Sequence, residues 1–133
     1  MYSVTKTITF CYGHRLLRYA GKCRHLHGHN GRVEIELSSR GLDARGMVRD
    51  FTEMKRTIQG WIDQHLDHKM ILSTTDPAVP ALRKLREPLY LTDANPTAEH
   101  LAKLIYGQVK RMGFPVTGVC LWETDSSHAT YRP

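Results

Sequence analysis

His25, His27 and His29 fall within one short stretch of the chain, and His14 lies a little before it. Side chains two residues apart on an extended segment point to the same side, so His27 and His29 can meet at one ion. His14 ends a predicted strand, and if that strand pairs with the next one, His14 lies beside the doublet. Three imidazoles with an open fourth position are typical of a catalytic zinc ion.

Two rival ligands remain open on the sequence alone. His25 has the same spacing to His27 as His29 has, so spacing does not exclude it. Cys23 as a fourth ligand would close the coordination sphere and make the zinc structural. As a free thiol beside the metal, Cys23 would instead serve as a base or nucleophile.

Other side chains able to move protons or bind a ligand occur later in the chain. Asp67 and His68 could form a proton-transfer pair, although sequence neighbours seldom face each other, and a histidine on the helix dipole is the simpler interpretation. Glu123 ends an apolar strand, where an exposed carboxylate is favoured over a buried anchor for two parallel N–H groups. Thr97 and Glu99 lie in a first helical turn, where capping alone would explain them.

Periodicity predicts the elements that must position these residues. Alternating apolar residues indicate strands, and apolar residues at helical spacing indicate two amphipathic helices. In chain order we predict strands over 2–13 and 29–39, helices over 51–65 and from Asn95-Pro96 to Met112, and strands over 115–124 and 128–132. This order is typical of an α+β domain whose helices cover one face of an antiparallel sheet. The segments 14–28 and 73–88 are predicted to be loops.

Helix starts are predicted from capping residues. Asp50 is placed as the N-cap of the first helix, with Glu53 completing a pair that resembles a capping box. Asn95 is placed as the cap of the second helix, with Pro96 at its first helical position.

Composition limits the class of protein. The chain has 133 residues, of which 41% are hydrophobic and 24% charged, which suits a single domain over 1–133. No apolar run approaches the roughly 18 residues of a spanning helix, and the first residues lack the apolar core of a signal peptide. Three cysteines are too few for a disulfide framework and suit a reducing compartment. We therefore expect a cytoplasmic protein with no membrane contact.

The net charge of +6 suits a polyanionic small substrate. The basic residues are scattered, so nucleic-acid binding is not expected. The longest basic cluster is Arg83-Lys84-Leu85-Arg86.

Taken together, these residues resemble the family of 6-pyruvoyl-tetrahydropterin and 6-carboxy-tetrahydropterin synthases. No single motif is decisive, but the ordered set is specific and spans nearly the whole chain. The matching segments are Phe10 to His14 with Arg15-Leu16, Cys23-x-x-x-His27-Gly28-His29, Gly46 to Phe51, Leu66-Asp67-His68, Asn95 to Glu99, and Trp122-Glu123-Thr124.

The resemblance implies the tunnelling fold. In this fold a four-stranded antiparallel sheet carries two helices on one face, in the order β-β-α-α-β-β. Subunits join their sheets edge to edge into a barrel, which would also cover exposed sheet edges. A homohexamer built as a dimer of trimers is expected, with its sites between subunits.

The resemblance also implies roles for individual residues. Zinc is bound by three histidines, His14, His27 and His29, and His25 is not a ligand. Cys23 abstracts a proton, with Asp67 and His68 of a neighbouring subunit as relay partners. The pterin ring is held by Glu123, with Thr97 and Glu99 in the same pocket.

The activity implied is that of a zinc-dependent lyase acting on 7,8-dihydroneopterin triphosphate. Cys23 precedes the His27-Gly28-His29 motif by four residues, as in the bacterial enzymes that form 6-carboxy-5,6,7,8-tetrahydropterin for queuosine synthesis and release acetaldehyde and triphosphate. A 6-pyruvoyl product is the alternative, and a non-catalytic zinc-bound domain of the same fold is a second one. Arg83, Lys84 or Arg86 could contribute to binding the triphosphate.

This sequence departs from the family pattern in two places. The segment Cys11-Tyr12-Gly13 replaces residues that are commonly small, so Tyr12 is expected to narrow the pocket. The stretch 73–88 is a long insertion before Asn95, which could change the contacts with the substrate's tail.

Overall fold

One sheet of six strands forms the framework of the computed structural model, which describes residues 1–133. The strands are β1 (Tyr2–His14), β2 (His27–Ser39), β3 (Lys69–Ser73), β4 (Leu89–Thr92), β5 (Val116–Thr124) and β6 (Ser127–Tyr131). Their order across the sheet is β4-β3-β1-β2-β5-β6. The pairs β1–β2, β2–β5 and β5–β6 are antiparallel, whereas β3 runs parallel to β1 and β4 parallel to β3.

The prediction of a four-stranded, purely antiparallel sheet is therefore wrong. The four predicted strands exist, and β2 begins two residues earlier than predicted, at His27 rather than at residue 29. The two strands that were missed are short, with five residues in β3 and four in β4. Short apolar runs of this length fit a strand or a buried turn of helix equally well, so periodicity does not identify them.

The helices occupy the predicted positions, with one addition. The first is continuous over 51–65 and consists of α1 (Phe51–Met54), a π-helical turn (Lys55–Gln59) and α2 (Gly60–His65). The second long helix is α4 (Ala98–Arg111). The predicted loop over 73–88 instead contains the last residue of β3 and a further helix, α3 (Ala78–Lys84). Parallel strands need such a crossover connection, which is why α3 lies between β3 and β4.

Capping at the first helix is confirmed in part. The Asp50 carboxylate accepts a hydrogen bond from the Thr52 amide at 2.8 Å, as an N-cap residue should. The capping box is not formed, because the Glu53 carboxylate pairs with the Arg49 guanidinium at 3.3 Å.

The cap of α4 was assigned to the wrong residue. Thr97 is the N-cap, and its hydroxyl accepts a hydrogen bond from the His100 amide at 3.2 Å. The Asn95 side chain is used elsewhere: it accepts a hydrogen bond from the Leu17 amide and donates one to the Leu17 carbonyl, at 2.9 and 2.8 Å. Asn95 thus holds the loop after β1, and Pro96 precedes the helix.

The hydrophobic core lies between the sheet and the two long helices. Residues that alternate along the strands pack against the helical stripes in one continuous cluster, as predicted, and burying this apolar area is the main stabilising contribution. Fully buried members include Val33, Ile35, Leu37, Met54, Ile58, Ile62, Leu101, Ile105, Val119 and Leu121. Phe51, the first residue of α1, is half exposed. No helix is both long enough and apolar enough to cross a bilayer.

A buried ion pair attaches the 73–88 segment to the loop after β1. The Asp76 carboxylate accepts hydrogen bonds from Arg15 Nε, at 2.8 Å, and from Arg15 Nη2. Asp76 is buried, and the Arg15 guanidinium holds the pKa of its carboxyl below the usual range. The segment therefore has a fixed contact close to His14.

Candidate metal centre

Pairing of β1 with β2 brings three histidines together at one end of the sheet. His14 lies directly across the ladder from His27, and His29 lies across from Tyr12. The ring centroids are 4.6 Å apart for His14–His27, 5.1 Å for His14–His29 and 5.0 Å for His27–His29. One ligand atom from each histidine lies within 4.8 Å of the others. The expectation that His14 joins the doublet once the strands pair is therefore confirmed.

Hydrogen bonds orient two of the three rings. His14 Nδ1 donates to the Pro96 carbonyl at 2.7 Å, and His27 Nδ1 donates to the His25 carbonyl at 2.7 Å. These bonds leave the Nε2 atom of each ring as the free acceptor. His27 Nε2 and His29 Nε2 are buried and have no hydrogen-bond partner. Buried nitrogen acceptors without a partner are costly unless a ligand satisfies them, so this donor set fits a divalent cation such as zinc.

Burial favours the neutral form of two of the three rings, those of His14 and His29. Burial lowers the pKa of His14 to about 4, an effect only partly offset by the hydrogen bond to Pro96, and the neighbouring His27 and His29 lower it further. Burial also lowers the pKa of His29, despite the nearby negative charge of Glu123. Neutral imidazole is the form that binds metal, so these rings need not release a proton before a cation arrives.

Glu123 lies beside the histidines on the inner face of β5. Its Oε1 is 3.7 Å from His14 Nε2, and its Oε2 is 3.9 Å from His29 Nε2. The side chain is 25% exposed, so the predicted exposed position at the sheet edge is wrong. The inner face of β5 continues beyond the apolar core into the histidine cluster, and a carboxylate is stabilised there by polar neighbours.

A pocket of about 290 Å³ opens beside Glu123. Thr97 and Glu99, from the start of α4, line the same pocket, together with His128 of β6. The three residues that the resemblance assigns to the pterin ring are therefore adjacent in one chain. Capping explains Thr97 structurally, as predicted, and its position in the pocket is an additional property.

Cys23 and His25 are not part of the histidine cluster. Cys23 lies in a short 3₁₀ turn, Lys22–Arg24, and is half-buried, while the His25 side chain is exposed. His25 contributes only its carbonyl, which orients His27. Neither side chain joins the group of three ligand atoms. The candidate ligand set in this chain is therefore the three histidines alone.

Asp67 and His68 form a hydrogen-bonded pair at the edge of β1, just before β3. Asp67 Oδ2 accepts from His68 Nδ1 at 2.8 Å, although neighbours in sequence were expected not to face each other. His68 adopts a left-handed backbone conformation with φ of 57°, which turns its ring back toward Asp67. The pair is attached to Cys11, whose amide donates to Asp67 Oδ1 at 2.9 Å and whose carbonyl accepts from the His68 amide at 2.6 Å.

These contacts determine the charge and the exposure of the pair. Burial raises the pKa of Asp67, but hydrogen bonds from Cys11 and His68 outweigh it, so that the carboxyl pKa lies below its usual value. The His68 side chain is 77% exposed. Neither residue is hydrogen-bonded to Cys23, so one chain does not bring the three predicted proton-transfer residues together.

A larger pocket of about 480 Å³ lies on the other side of the histidine cluster. His27 and His68 both line it, and Leu82 and Leu85 from the α3 region close it. The 73–88 segment thus forms a wall of the space between the candidate metal ligands and the Asp67–His68 pair.

Sequence reasoning missed the groups that position His14. The Pro96 carbonyl is a backbone atom, and no residue type signals its role. Asn95 is visible in the sequence, but an asparagine before a helix can either cap the helix or hold a neighbouring loop. Its position alone therefore does not identify the loop contact.

The fold and the cluster define an α+β protein with three converging histidines beside a pocket. Its sequence matches the family described as 6-pyruvoyl tetrahydropterin synthase over residues 3–133. The chain therefore belongs to that family, and the resemblance noted above is confirmed.

Individual relatives agree with this assignment. The 6-carboxy-5,6,7,8-tetrahydropterin synthase of Rickettsia bellii is 33% identical over 131 residues, covering 93% of this chain and 95% of the relative. The protein of the same name from Aquifex aeolicus is 32% identical, covering 98% of each chain.

Solved structures share the fold. An uncharacterized protein from Wolinella succinogenes superimposes with a TM-score of 0.83 at 29% identity, covering 98% of this chain and 97% of the other. The 6-pyruvoyl tetrahydropterin synthase of Caenorhabditis elegans has a TM-score of 0.74 at 22% identity, covering 99% and 95%. The latter likeness extends to the fold alone.

Proposed function

We propose that the chain is a zinc-dependent lyase that converts 7,8-dihydroneopterin triphosphate to 6-carboxy-5,6,7,8-tetrahydropterin, releasing acetaldehyde and triphosphate. The observation that carries the proposal is the triple-histidine cluster with the Glu123 pocket beside it. The names of the bacterial relatives support the carboxy product. The enzyme would act as a single domain over 1–133 in the cytoplasm, in queuosine synthesis.

The zinc ligands would be the Nε2 atoms of His14, His27 and His29. Zinc, when bound, supplies a Lewis acid that polarises substrate oxygens. The chain's own contribution is to present three converging imidazole rings, two of them held by backbone carbonyls. This preorganisation supports tight metal binding.

The substrate's ring would be anchored by Glu123. A carboxylate accepts two parallel hydrogen bonds well, and the aminopyrimidinone edge of a pterin offers two N–H donors in that arrangement. The pocket holding Thr97 and Glu99 provides the adjoining surface. Its position next to the histidines would place the ring's side chain close to the metal site.

Proton transfer would be the role of Cys23, Asp67 and His68. Cys23 is half-buried on its loop, and the Asp67–His68 pair lies at the edge of β1 beside Cys11. Their separation within one chain supports a site completed by a neighbouring subunit. A homohexamer built as a dimer of trimers would provide such neighbours, and edge-to-edge association would cover the outer strands β4 and β6.

The triphosphate would be bound in part by Arg83 or Lys84, in the last turn of α3, or by Arg86, two residues beyond its end. Neutralising all three should raise KM for the triphosphate substrate, since fewer positive charges would face the tail. An unchanged KM would remove these residues from the binding site.

The test is zinc stoichiometry together with turnover of 7,8-dihydroneopterin triphosphate, with products separated by mass. One zinc per chain with a 6-carboxy product and acetaldehyde is the expected result. A 6-pyruvoyl product would transfer the protein to the alternative activity and leave the site intact. Absence of zinc would refute the metal centre.

A non-catalytic zinc-bound domain is the second alternative. It requires Cys23 to close the coordination sphere, so Cys23→Ala would then lose zinc. Retention of zinc in that variant, with loss of turnover, is the outcome that the enzymatic proposal expects.

A further inference from the structure

Tyr12 is a buried residue beside the histidine cluster to which the proposed reaction gives no role. It is 1% exposed, and its ring stacks on Phe10 with centroids 5.2 Å apart. The ring also contacts the cluster, at 5.3 Å from His14 and 5.7 Å from His29 between centroids. Its hydroxyl is buried without a hydrogen-bond partner. A buried hydroxyl in that state is costly, which points to an acceptor close by.

Gly31 on β2 makes room for the Tyr12 ring. A Cβ atom at Gly31 would lie 2.9 Å from Tyr12 Cε1, a distance that side chains essentially never adopt. The Tyr12 ring therefore extends from β1 over β2 at Gly31, where β2 carries no side chain. This pairing of an aromatic ring with a cross-strand glycine stabilises the sheet locally.

The direction of the ring brings the hydroxyl toward Glu123. Arg32 pairs with Trp122 across β2 and β5, so that Gly31 and Glu123 follow at the next level of the ladder. Burial and the nearby negative charge of Glu123 raise the pKa of the Tyr12 hydroxyl. No hydrogen bond of normal geometry joins the two groups, however. The nearest histidine nitrogens are 3.7 and 3.9 Å from the Glu123 oxygens, too far to orient the carboxylate firmly.

We propose that Tyr12 is a positioning residue for the ligand: its hydroxyl donates a hydrogen bond to Glu123 and fixes the carboxylate in the orientation that receives the ligand's N–H groups. A carboxylate has about four lone-pair sites, so one bond to Tyr12 leaves room for two more. The inference rests on the proposed role of Glu123 as ring anchor. It adds a residue that is specific to this chain's Cys11-Tyr12-Gly13 segment.

The test is a double-mutant cycle on the zinc-loaded, full-length protein. The probe is neopterin, a fluorescent and unreactive pterin, and its Kd is measured for the wild type, Tyr12→Phe, Glu123→Gln and the double variant. Phenylalanine keeps the ring over Gly31 and removes only the hydroxyl. Tyr12→Phe should raise Kd about tenfold, the lower end for a hydrogen bond to a charged group. Zinc content should stay at the wild-type value.

If Tyr12 acts through Glu123, the tenfold effect disappears in the Glu123→Gln background. Tyr106→Phe is the matched control, because Tyr106 is also buried but packs against Tyr131 at 5.1 Å, within the α4–β6 contact. This control should leave Kd unchanged.

Other outcomes overturn the inference in distinguishable ways. A wild-type Kd in Tyr12→Phe, with weak binding in Glu123→Gln, removes the Tyr12 role and leaves the ring anchor intact. An equal loss in both backgrounds shows that Tyr12 does not act through Glu123. Loss of zinc in Tyr12→Phe shows that the hydroxyl serves the metal ligands instead. If neopterin fails to bind even the wild type, the proposed pterin function itself fails.

Discussion

The histidine cluster and the proton-transfer residues differ in how the chain positions them. All three histidines are on two paired strands, within one chain, and the ladder alone sets their spacing. Cys23 is in the segment between β1 and β2, and Asp67 and His68 follow a helix at the edge of β1. One chain therefore brings the three candidate metal ligands together, whereas it does not bring together the three residues proposed for proton transfer.

This difference has a physical origin. Strand register is specified strongly, because a slip by one residue would turn every inward side chain outward. A metal site, which tolerates only small errors in geometry, benefits from that precision. Loop residues gain comparable order only when another surface packs on them, and a neighbouring subunit is such a surface.

The largest effect is expected from removing a ligand of the cluster. His27→Ala should lower zinc affinity by more than about a hundredfold, since losing even an outer hydrogen-bond partner costs up to that factor. Turnover should fall with it. Metal analysis after dialysis measures the change, and His25→Ala is the matched control. Equal zinc loss in the control would contradict the assignment of ligands.

Cys23→Ala tests the proposed proton-transfer residues. Turnover should fall by about 10²- to 10⁴-fold, the range for loss of a proton-transfer group, while zinc is retained. His68→Ala should likewise lower turnover and retain zinc. Mixed oligomers of the two variants should regain activity at about a quarter of their sites, if each site combines Cys23 of one subunit with His68 of another. No recovery after co-refolding would place the three residues in one subunit.

The Arg15–Asp76 ion pair, which attaches the 73–88 segment to the loop after β1, should affect stability in acid. The folded-state pKa of Asp76 lies below its ordinary value of 3.8, so its stabilising contribution is complete above that pH and is lost as the pH falls through the folded-state value. At neutral pH, Asp76→Asn should cost about 2 kcal/mol of unfolding free energy.

The difference between the wild type and Asp76→Asn should therefore shrink below a pH of about 4. Urea unfolding of both proteins at neutral and acidic pH measures it. Glu53→Gln, which affects an exposed pair with Arg49, serves as the control and should change stability little at any pH. A constant difference across the pH range would argue against this pairing.

The smallest effect concerns Thr97, which caps α4 and also lines the Glu123 pocket. Thr97→Ala should destabilise the fold by about 1 kcal/mol, whereas Thr97→Asn should preserve the cap. Thermal unfolding measures the contribution of the cap to stability, and KM measures the contribution of Thr97 to the pocket. If Thr97→Asn has normal stability and a normal KM, then Thr97 only caps the helix.

Most elements could be predicted because they bury regular apolar patterns. The His14–His27 contact also followed from strand pairing, once two strands with a connecting loop were identified. The missing strands β3 and β4 are short, and β3 pairs with β1 at only three positions, so tertiary contacts rather than local pattern define them.

The polar details of the site were less predictable. The sequence predicts an exposed Glu123 because this residue lies at the end of an apolar strand. Its side chain nevertheless lies on the same face of β5 as Leu121. The contact between Asp67 and His68 depends on a left-handed backbone at His68, and no residue type at that position signals it. Such features arise from the surroundings of a residue and are not visible in its spacing.

Three consecutive residues before α4 each serve a different part of the molecule: Asn95 holds the loop after β1, the Pro96 carbonyl holds His14, and Thr97 caps the helix. The His14 ring is consequently locked before any cation arrives. Metal capture then has little ring rotation left to freeze, so its rate should be set by diffusion and ion dehydration. In the metal-free protein, nitrogen NMR of His14 should accordingly report one tautomer.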